Sequence, residues 1–198
     1  SIQVEDRSIM LLVDSNYSYR SDELQSWYEN PQRPFGTKGN RNRFNTTSQT
    51  FSRRALTTRK EGGVLSTAAV LTMTSTPLRT SPIKRGAWAA TVIFNDPPPP
   101  PPDLVPEIEE DDAAIAASGL TIRDRLKQHA SDQTCASCHA KIDPMGFALE
   151  NYDAVGRWRD DYAGGLPVDA SGKLFGEIEF KNIVGFKDAI LALSLIHI

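Results

Sequence analysis

The sequence predicts a mainly α-helical protein, with an N-terminal helical region, a polyproline linker and a small helical module after the linker. Three observations support this prediction. In most regular segments, apolar residues recur at the spacing of one helix face. Ser, Thr or Asp precedes most of these segments, where its side chain can cap the first helical amides. Six consecutive prolines, Pro97 to Pro102, divide the chain, and few segments alternate as a strand does.

The N-terminal residues predict two short helices followed by a loop. Asp6 precedes the apolar run Ser8 to Val13, and Ser21 precedes a helical segment at 22–28. Both side chains can accept hydrogen bonds from amides of the first turn. Residues 30–50 are rich in Asn, Gly, Pro, Thr and Arg, which favours a long loop.

Two further helices are predicted before the prolines. Residues 63–73 have a helical composition, and Ser81 followed by Pro82 is typical of a helix start. This second helix is predicted to run from Ile83 to about Phe94. Seven acidic residues, and no basic one, lie between Arg85 and Arg123, so the proline run predicts a stiff, self-repelling spacer.

Beyond the linker, the pattern predicts helices that flank a cysteine motif. Thr121 and Asp124 have capping-box spacing, and the helix that follows carries Ile122, Leu126 and His129 on one side. Asp143 and Pro144 predict the start of another helix. The remaining predictions are a strand near 178–180, a closing helix from about 186, and few or no other strands. The last six residues, 193–198, match translated transposase adapter DNA and are predicted to be an artefact that excludes His197 from any site.

Composition and charge exclude some classes of function. No run approaches the roughly 20 apolar residues of a membrane helix, so no membrane span is expected. Residues 1–86 hold 13 Lys and Arg against 7 Asp and Glu, whereas residues 87–198 hold 9 against 18. The basic residues are dispersed among polar loops without a recognition motif, so we expect no nucleic acid partner.

The motif Cys-Ala-Ser-Cys-His contains both cysteines of the chain and one of its three histidines. Covalent haem c attachment needs two thiols at the spacing of the haem vinyl groups and an adjoining imidazole for the iron. This reasoning predicts that Cys135 and Cys138 form the thioether bonds and that His139 is the proximal ligand. Two alternatives stay open: a zinc site made with His129, and a disulfide or redox dithiol.

The sixth iron ligand has two candidates in the sequence. His129 would hold the potential lower and Met145 would raise it, although a methionine on an apolar stripe is more often core. An open iron would permit peroxide chemistry, which makes a haem enzyme an alternative to an electron carrier. Arg79, Lys84 and Arg85 could pair with the haem propionates, with surface loop capping as the simpler role. Salt links to Arg157 or Arg159 explain Glu150 and Asp153 more simply than a catalytic carboxylate pair, so no catalytic residue is assigned.

Several motifs in order resemble one known family. They are RTSPIKRG (79–86), the proline run, His129, CASCH (135–139), IDPMGFALENYDAVGRWR (142–159) and VDASG (168–172). The stretch from about 62 to 172 resembles the cytochrome-like domains of unknown function in large secreted planctomycete-type proteins, often found with a haem c module. The resemblance implies an extracytoplasmic protein, an unidentified redox partner protein and a role linked to oxidative breakdown of polysaccharide. The family often has Ile or Leu at the position of Met145, which argues against methionine as a general sixth ligand.

The resemblance and the linker together imply a division of the chain. The expected parts are the end of a preceding helical domain (1–60), a helical segment with the RTSPIKRG loop (61–96), a proline-rich acidic linker (97–118), a cytochrome c-like helical haem module (119–172), the start of a following domain (173–192) and the artefact (193–198).

Overall fold

The computed structural model describes residues 5–30, 50–77, 79–100, 117–130, 133–162 and 164–197, and for residues 128, 129, 133, 134 and 194–197 it describes the backbone alone. Over this part of the chain the protein is mainly helical, as the sequence predicts. Most of the predicted loop at 30–50 and of the predicted linker at 97–118 lies outside the described residues.

Six helices and four short strands make up the described fold. The helices are α1 (Asp22–Glu29), α2 (Ala68–Met73), α3 (Pro82–Val92), α4 (Ile122–His129), α5 (Gln133–Phe147) and α6 (Ile183–His197). The strands are β1 (Tyr17–Arg20), β2 (Ser52–Ala55), β3 (Gly172–Leu174) and β4 (Ile178–Phe180). Strand β1 pairs antiparallel with β2, with Tyr17 opposite Ala55, and β3 pairs antiparallel with β4, with Gly172 opposite Phe180.

The predicted capping side chains begin three of these helices. Ser21 Oγ accepts a hydrogen bond from the amide of Leu24 at 3.2 Å, and Ser81 Oγ accepts one from Lys84 at 3.3 Å. At the start of α4, the amide of Asp124 donates to Thr121 Oγ1 at 3.2 Å, while the amide of Thr121 donates to Asp124 Oδ2 at 3.1 Å. The reciprocal pair confirms the predicted capping box.

The structure differs from two predicted helices, one at the apolar run near the N-terminus and one at Asp143-Pro144. Residues Ile9–Leu12 form one short 3-10 helix, which Ser8 caps. Pro144 lies inside α5, three residues before its end, and does not begin a new helix. A proline removes one helical hydrogen bond and crowds the preceding turn, and this cost is smallest near a helix end. The apolar residues Met145 and Leu149 therefore belong to the last turn of α5 and to the turns that follow it.

Helices α3 and α5 cross at two glycines that let their backbones touch. A Cβ atom on Gly86 would lie 2.0 Å from the carbonyl oxygen of Ile142, and one on Gly146 would lie 1.9 Å from that of Pro82. Neither helix could keep this position with a larger residue at its glycine. The glycines of RTSPIKRG and of the segment after the cysteines therefore make one contact, which fixes α5.

One hydrophobic core joins segments from most of the described chain. It contains Val13 near the N-terminus, Leu65 and Leu71 around α2, Met145 and Leu149 at the end of α5, and Phe186 of α6. Residues 173–192, expected to begin a following domain, thus contribute to the same core as residues 61–96. The ammonium of Lys187 on α6 is also fully buried, where it donates to the carbonyls of Arg59 and Gly62.

Candidate functional site

Helix α5 carries the whole cysteine and histidine motif on its first turns. Cys135, Cys138 and His139 stand at positions i, i+3 and i+4 of this helix, so they share one of its faces. Both cysteines are half-buried free thiols. Helix α5 therefore presents the two thiols and the imidazole on one face.

The His139 ring is held by a carboxylate one turn further along the helix. Its Nδ1 lies 2.9 Å from Asp143 Oδ1 and 3.0 Å from Asp143 Oδ2, and the two side chains are only 10% and 14% exposed. A carboxylate accepts hydrogen bonds, so the proton of the neutral ring lies on Nδ1. Nε2 then carries the lone pair that a metal ion would bind.

The structure describes the side chain of only one of the two candidates for a sixth iron ligand. The side chain of His129, at the end of α4, lies outside the described part of the structure, so its role stays a prediction. Met145 is 1% exposed and packs in the main hydrophobic core. It lies six residues beyond His139 on the same helix, about 9 Å along the axis at 1.5 Å per residue. This position suits packing better than ligation from the opposite side of an iron.

Arg79, Lys84 and Arg85, which the sequence offers as propionate partners, occupy three different environments. Lys84 is exposed, and its pairing with a propionate stays a prediction. Arg79 is buried, and its Nη1 donates to the carbonyl of Thr80 at 2.8 Å. Arg85 is fully buried and is neither on the surface nor in a loop.

Arg85 instead holds the chain that leaves helix α5. Its Nη1 donates to the carbonyls of Leu149 and Tyr152, each at 2.8 Å, and its Nη2 donates to the carbonyl of Asp153 at 2.8 Å. Nη1 also pairs with Glu150 Oε1 at 3.2 Å. Burial lowers the pKa of the Arg85 guanidinium, and the charge of Glu150 opposes that effect. The described contacts of Arg85 are thus structural.

Glu150 is the centre of this buried network, which the sequence reveals only in part. Its Oε2 accepts from Thr80 at 2.8 Å, from Arg159 at 3.2 Å and from the Tyr162 hydroxyl at 3.3 Å. Burial, with the nearby Glu150 charge, raises the pKa of Tyr162.

The predicted salt links of these carboxylates are confirmed. Glu150 pairs with Arg159, and Asp153 pairs with Arg157 at 3.3 Å.

Sequence reasoning missed Asp143 as a partner of the histidine. It identified Asp143 as a helix cap, because a following proline is typical of a helix start. The signal that could have found the pair is its spacing, since Asp143 lies four residues after His139 and residues at that spacing are neighbours on a helix.

The described residues include the side chains that covalent haem attachment would use, and the structure does not test the zinc alternative. Two free thiols and a histidine with its Nδ1 proton held by an acceptor are the donor set that haem c attachment requires. In the described part of the chain, no group of three His, Cys, Asp or Glu side chains is placed to hold a metal ion. The zinc arrangement that includes His129 depends on a side chain outside that part.

The fold and the motif indicate the class of this protein, and comparison with known proteins identifies its family. The chain is a mainly helical, cytochrome-associated domain of unknown function. The family model PSCyt3, described as a protein of unknown function (DUF1588), matches residues 61–162, and the chain belongs to this planctomycete cytochrome c-associated family. No curated protein and no solved structure matches the chain. None of the helices in the described ranges combines the length and apolar character needed to cross a bilayer.

Proposed function

We propose that this chain is an extracytoplasmic c-type cytochrome module that binds haem covalently and transfers single electrons. The observation that carries the proposal is the placement of Cys135, Cys138 and His139 on one face of α5, with both thiols free and the imidazole held by Asp143. Haem, when bound, supplies an iron that exchanges one electron between its ferric and ferrous states. Attachment of haem c is completed outside the cytoplasm, which supports the proposed localisation.

The chain's own residues would do three things at this site. Cys135 and Cys138 would each add sulfur to one vinyl carbon and hydrogen to its neighbour, so no atom leaves and no oxidant is consumed. His139 would present Nε2 to the iron, and the contact between α3 and α5 would hold the helix that carries all three groups. Electrons would pass to an unidentified redox partner protein, within a larger protein linked to oxidative breakdown of polysaccharide.

The test is to express the whole chain with an export signal in a bacterium whose haem ligation machinery is active. We expect haem staining of the denatured protein, a mass increase of one haem, and a c-type absorption spectrum. The Cys135→Ala, Cys138→Ala double variant should lose the stain. Ser137→Ala, which changes the exposed residue between the cysteines, should keep it and serves as the matched control.

Each other outcome would point to a defined alternative. A folded wild-type protein without covalent haem would overturn the proposal, and zinc found by elemental analysis would assign the motif to a metal site instead. A high-spin ferric spectrum with peroxide-dependent substrate oxidation would indicate a haem enzyme with an open iron. Covalent haem with a low-spin, six-coordinate spectrum would support the electron carrier.

A further inference from the structure

The contact between Asp143 and His139 is closer to both carboxylate oxygens and better shielded from water than an ordinary pair on a helix surface. Both carboxylate oxygens lie within 3.0 Å of Nδ1, and both side chains are largely shielded from water. An exposed pair at this spacing would contribute little to stability. A shielded, charge-assisted hydrogen bond is shorter and roughly twice as strong as one to a neutral acceptor.

The backbone around Asp143 is fixed on both sides. The carbonyl of Ile142, the residue before Asp143, touches Gly86 of α3, and Gly146 touches Pro82 of the same helix. Between these contacts, Pro144 lies close enough that a Cβ on Gly172 would come within 3.1 Å of its Cβ. The carboxylate therefore projects from a segment that has little freedom to shift, and its distance from the imidazole is set by the fold.

A carboxylate acceptor changes a histidine in two ways. It selects the ring form with the proton on Nδ1, and it draws that proton away from the ring, which makes Nε2 a stronger electron donor. A stronger donor stabilises ferric iron more than ferrous iron. A backbone carbonyl, which is a neutral acceptor, selects the same ring form but donates less electron density. A side-chain amide can both accept and donate, so it selects neither ring form strongly.

We propose that Asp143 is a positioning residue that orients His139 with its proton on Nδ1 and, given the haem c function proposed above, lowers the reduction potential of the iron that His139 binds. The residue acts through the imidazole and touches no reacting atom. The inference goes beyond haem attachment, because a c-type module with a neutral partner for its histidine would bind haem equally well at a higher potential.

The experiment compares wild type, Asp143→Asn and a charge-matched control. Asparagine keeps the size of the side chain and can still accept from Nδ1, but it carries no charge. The control is Asp22→Asn, which removes the same charge from a side chain that is 90% exposed on α1. Each full-length chain is produced with active haem ligation, stained for covalent haem, and titrated by spectroelectrochemistry.

We expect Asp143→Asn to retain covalent haem and to have a more positive midpoint potential. A tenfold loss of preference for ferric iron corresponds to about 59 mV for one electron, and outer-shell partners of ligating histidines have effects of that order or larger. Asp22→Asn should stay at the wild-type potential. Equal potentials in wild type and Asp143→Asn, with haem attached in both, would overturn the inference and leave the proposed function intact.

A second measurement does not depend on haem. In the haem-free Cys135→Ala, Cys138→Ala background, nitrogen-15 chemical shifts report which ring nitrogen of His139 carries the proton. We expect the Nδ1-protonated form to dominate when Asp143 is present and a mixture of both forms after Asp143→Asn. A mixture already present with Asp143 would overturn the orienting role. Absence of covalent haem from wild type would overturn the proposed function, and the potential-lowering part of this inference with it.

Discussion

Replacing Gly86 with alanine tests whether the close crossing of α3 and α5 holds this fold together. The new methyl group would lie 2.0 Å from the carbonyl oxygen of Ile142. An ordinary carbon–oxygen contact is about 3.3 Å, so the helices would have to separate by about 1.3 Å. The atom in the way belongs to the backbone of the partner helix and cannot rotate aside.

The expected cost follows from two opposing effects. Overpacking that forces a backbone shift costs about 3 kcal/mol at the upper end of its usual range. Alanine has a better helix propensity than glycine by about 1 kcal/mol. We therefore expect Gly86→Ala to lower the free energy of unfolding by about 2 kcal/mol. Gly146→Ala should cost a similar amount, because its methyl group would meet the carbonyl of Pro82 at 1.9 Å.

Chemical denaturation followed by circular dichroism measures these changes. Gly185→Ala is the matched control, since Gly185 is also helical but its methyl group would come no closer than 3.2 Å to any atom of Phe180. Its effect should stay within about 1 kcal/mol. Both crossing variants force the same separation, so the double variant should lose less than the sum of the two. Wild-type stability of Gly86→Ala, or full additivity, would refute the reasoning.

Two further predictions concern buried ionisable groups. Glu150→Gln should lower the free energy of unfolding by about 3–5 kcal/mol, because it leaves the buried guanidinium of Arg85 without its counter-charge. In the same denaturation assay, the exposed Glu179→Gln should have a far smaller effect, and equal effects would contradict the buried network. The second prediction is that stability falls above about pH 10, because burial raises the pKa values of Tyr28, Tyr152 and Tyr162 above the ordinary 10.0. Above that pH the unfolded chain releases phenol protons that the folded chain keeps. The free energy of unfolding then falls by up to about 1.4 kcal/mol per pH unit for each such tyrosine. Burial lowers the pKa of Lys187, so the folded chain holds this proton less tightly than the unfolded chain does. The contribution of Lys187 to stability therefore rises as the pH approaches 10.5, and this one group opposes the three tyrosines. Denaturation from about pH 9 to about pH 11, with tyrosinate absorbance, checks the sign, and stability that rises over this range would contradict it.

The helix starts could be predicted from sequence because their cause is local. Ser21, Ser81 and Thr121 each cap a helix with an atom that lies within three residues of the amide it accepts from. The place of the cysteines and His139 on one helix face follows from their spacing alone. Such features need no knowledge of the rest of the fold.

The features that sequence reasoning missed depend on distant residues. Pro144 continues α5 because helix α3 packs against that segment through Gly86 and Gly146, and no local signal reports this contact. Strand β1 pairs with a segment more than thirty residues away, and strands β1, β2 and β3 are too short to show the alternation that predicts a strand. Only β4 is predicted from the sequence, near 178–180, where the structure has it. Glu150 meets Thr80 across 70 residues of sequence, so its role as a network centre could not be read from spacing.

Helix α5 connects the separate sequence motifs of this chain. CASCH occupies its first turns, Asp143 and Gly146 occupy its last turns, and the chain beyond it is held by Arg85 of the RTSPIKRG motif. A rigid helix of 15 residues transmits the position of one end to the other. Three residues of RTSPIKRG, Pro82, Arg85 and Gly86, therefore bear on the proposed haem site because they fix the helix from which the thiols and the imidazole project. Loosening of this end should disturb the His139–Asp143 hydrogen bond before it disturbs the cysteines, because Asp143 lies between the two glycine contacts and the cysteines lie beyond them.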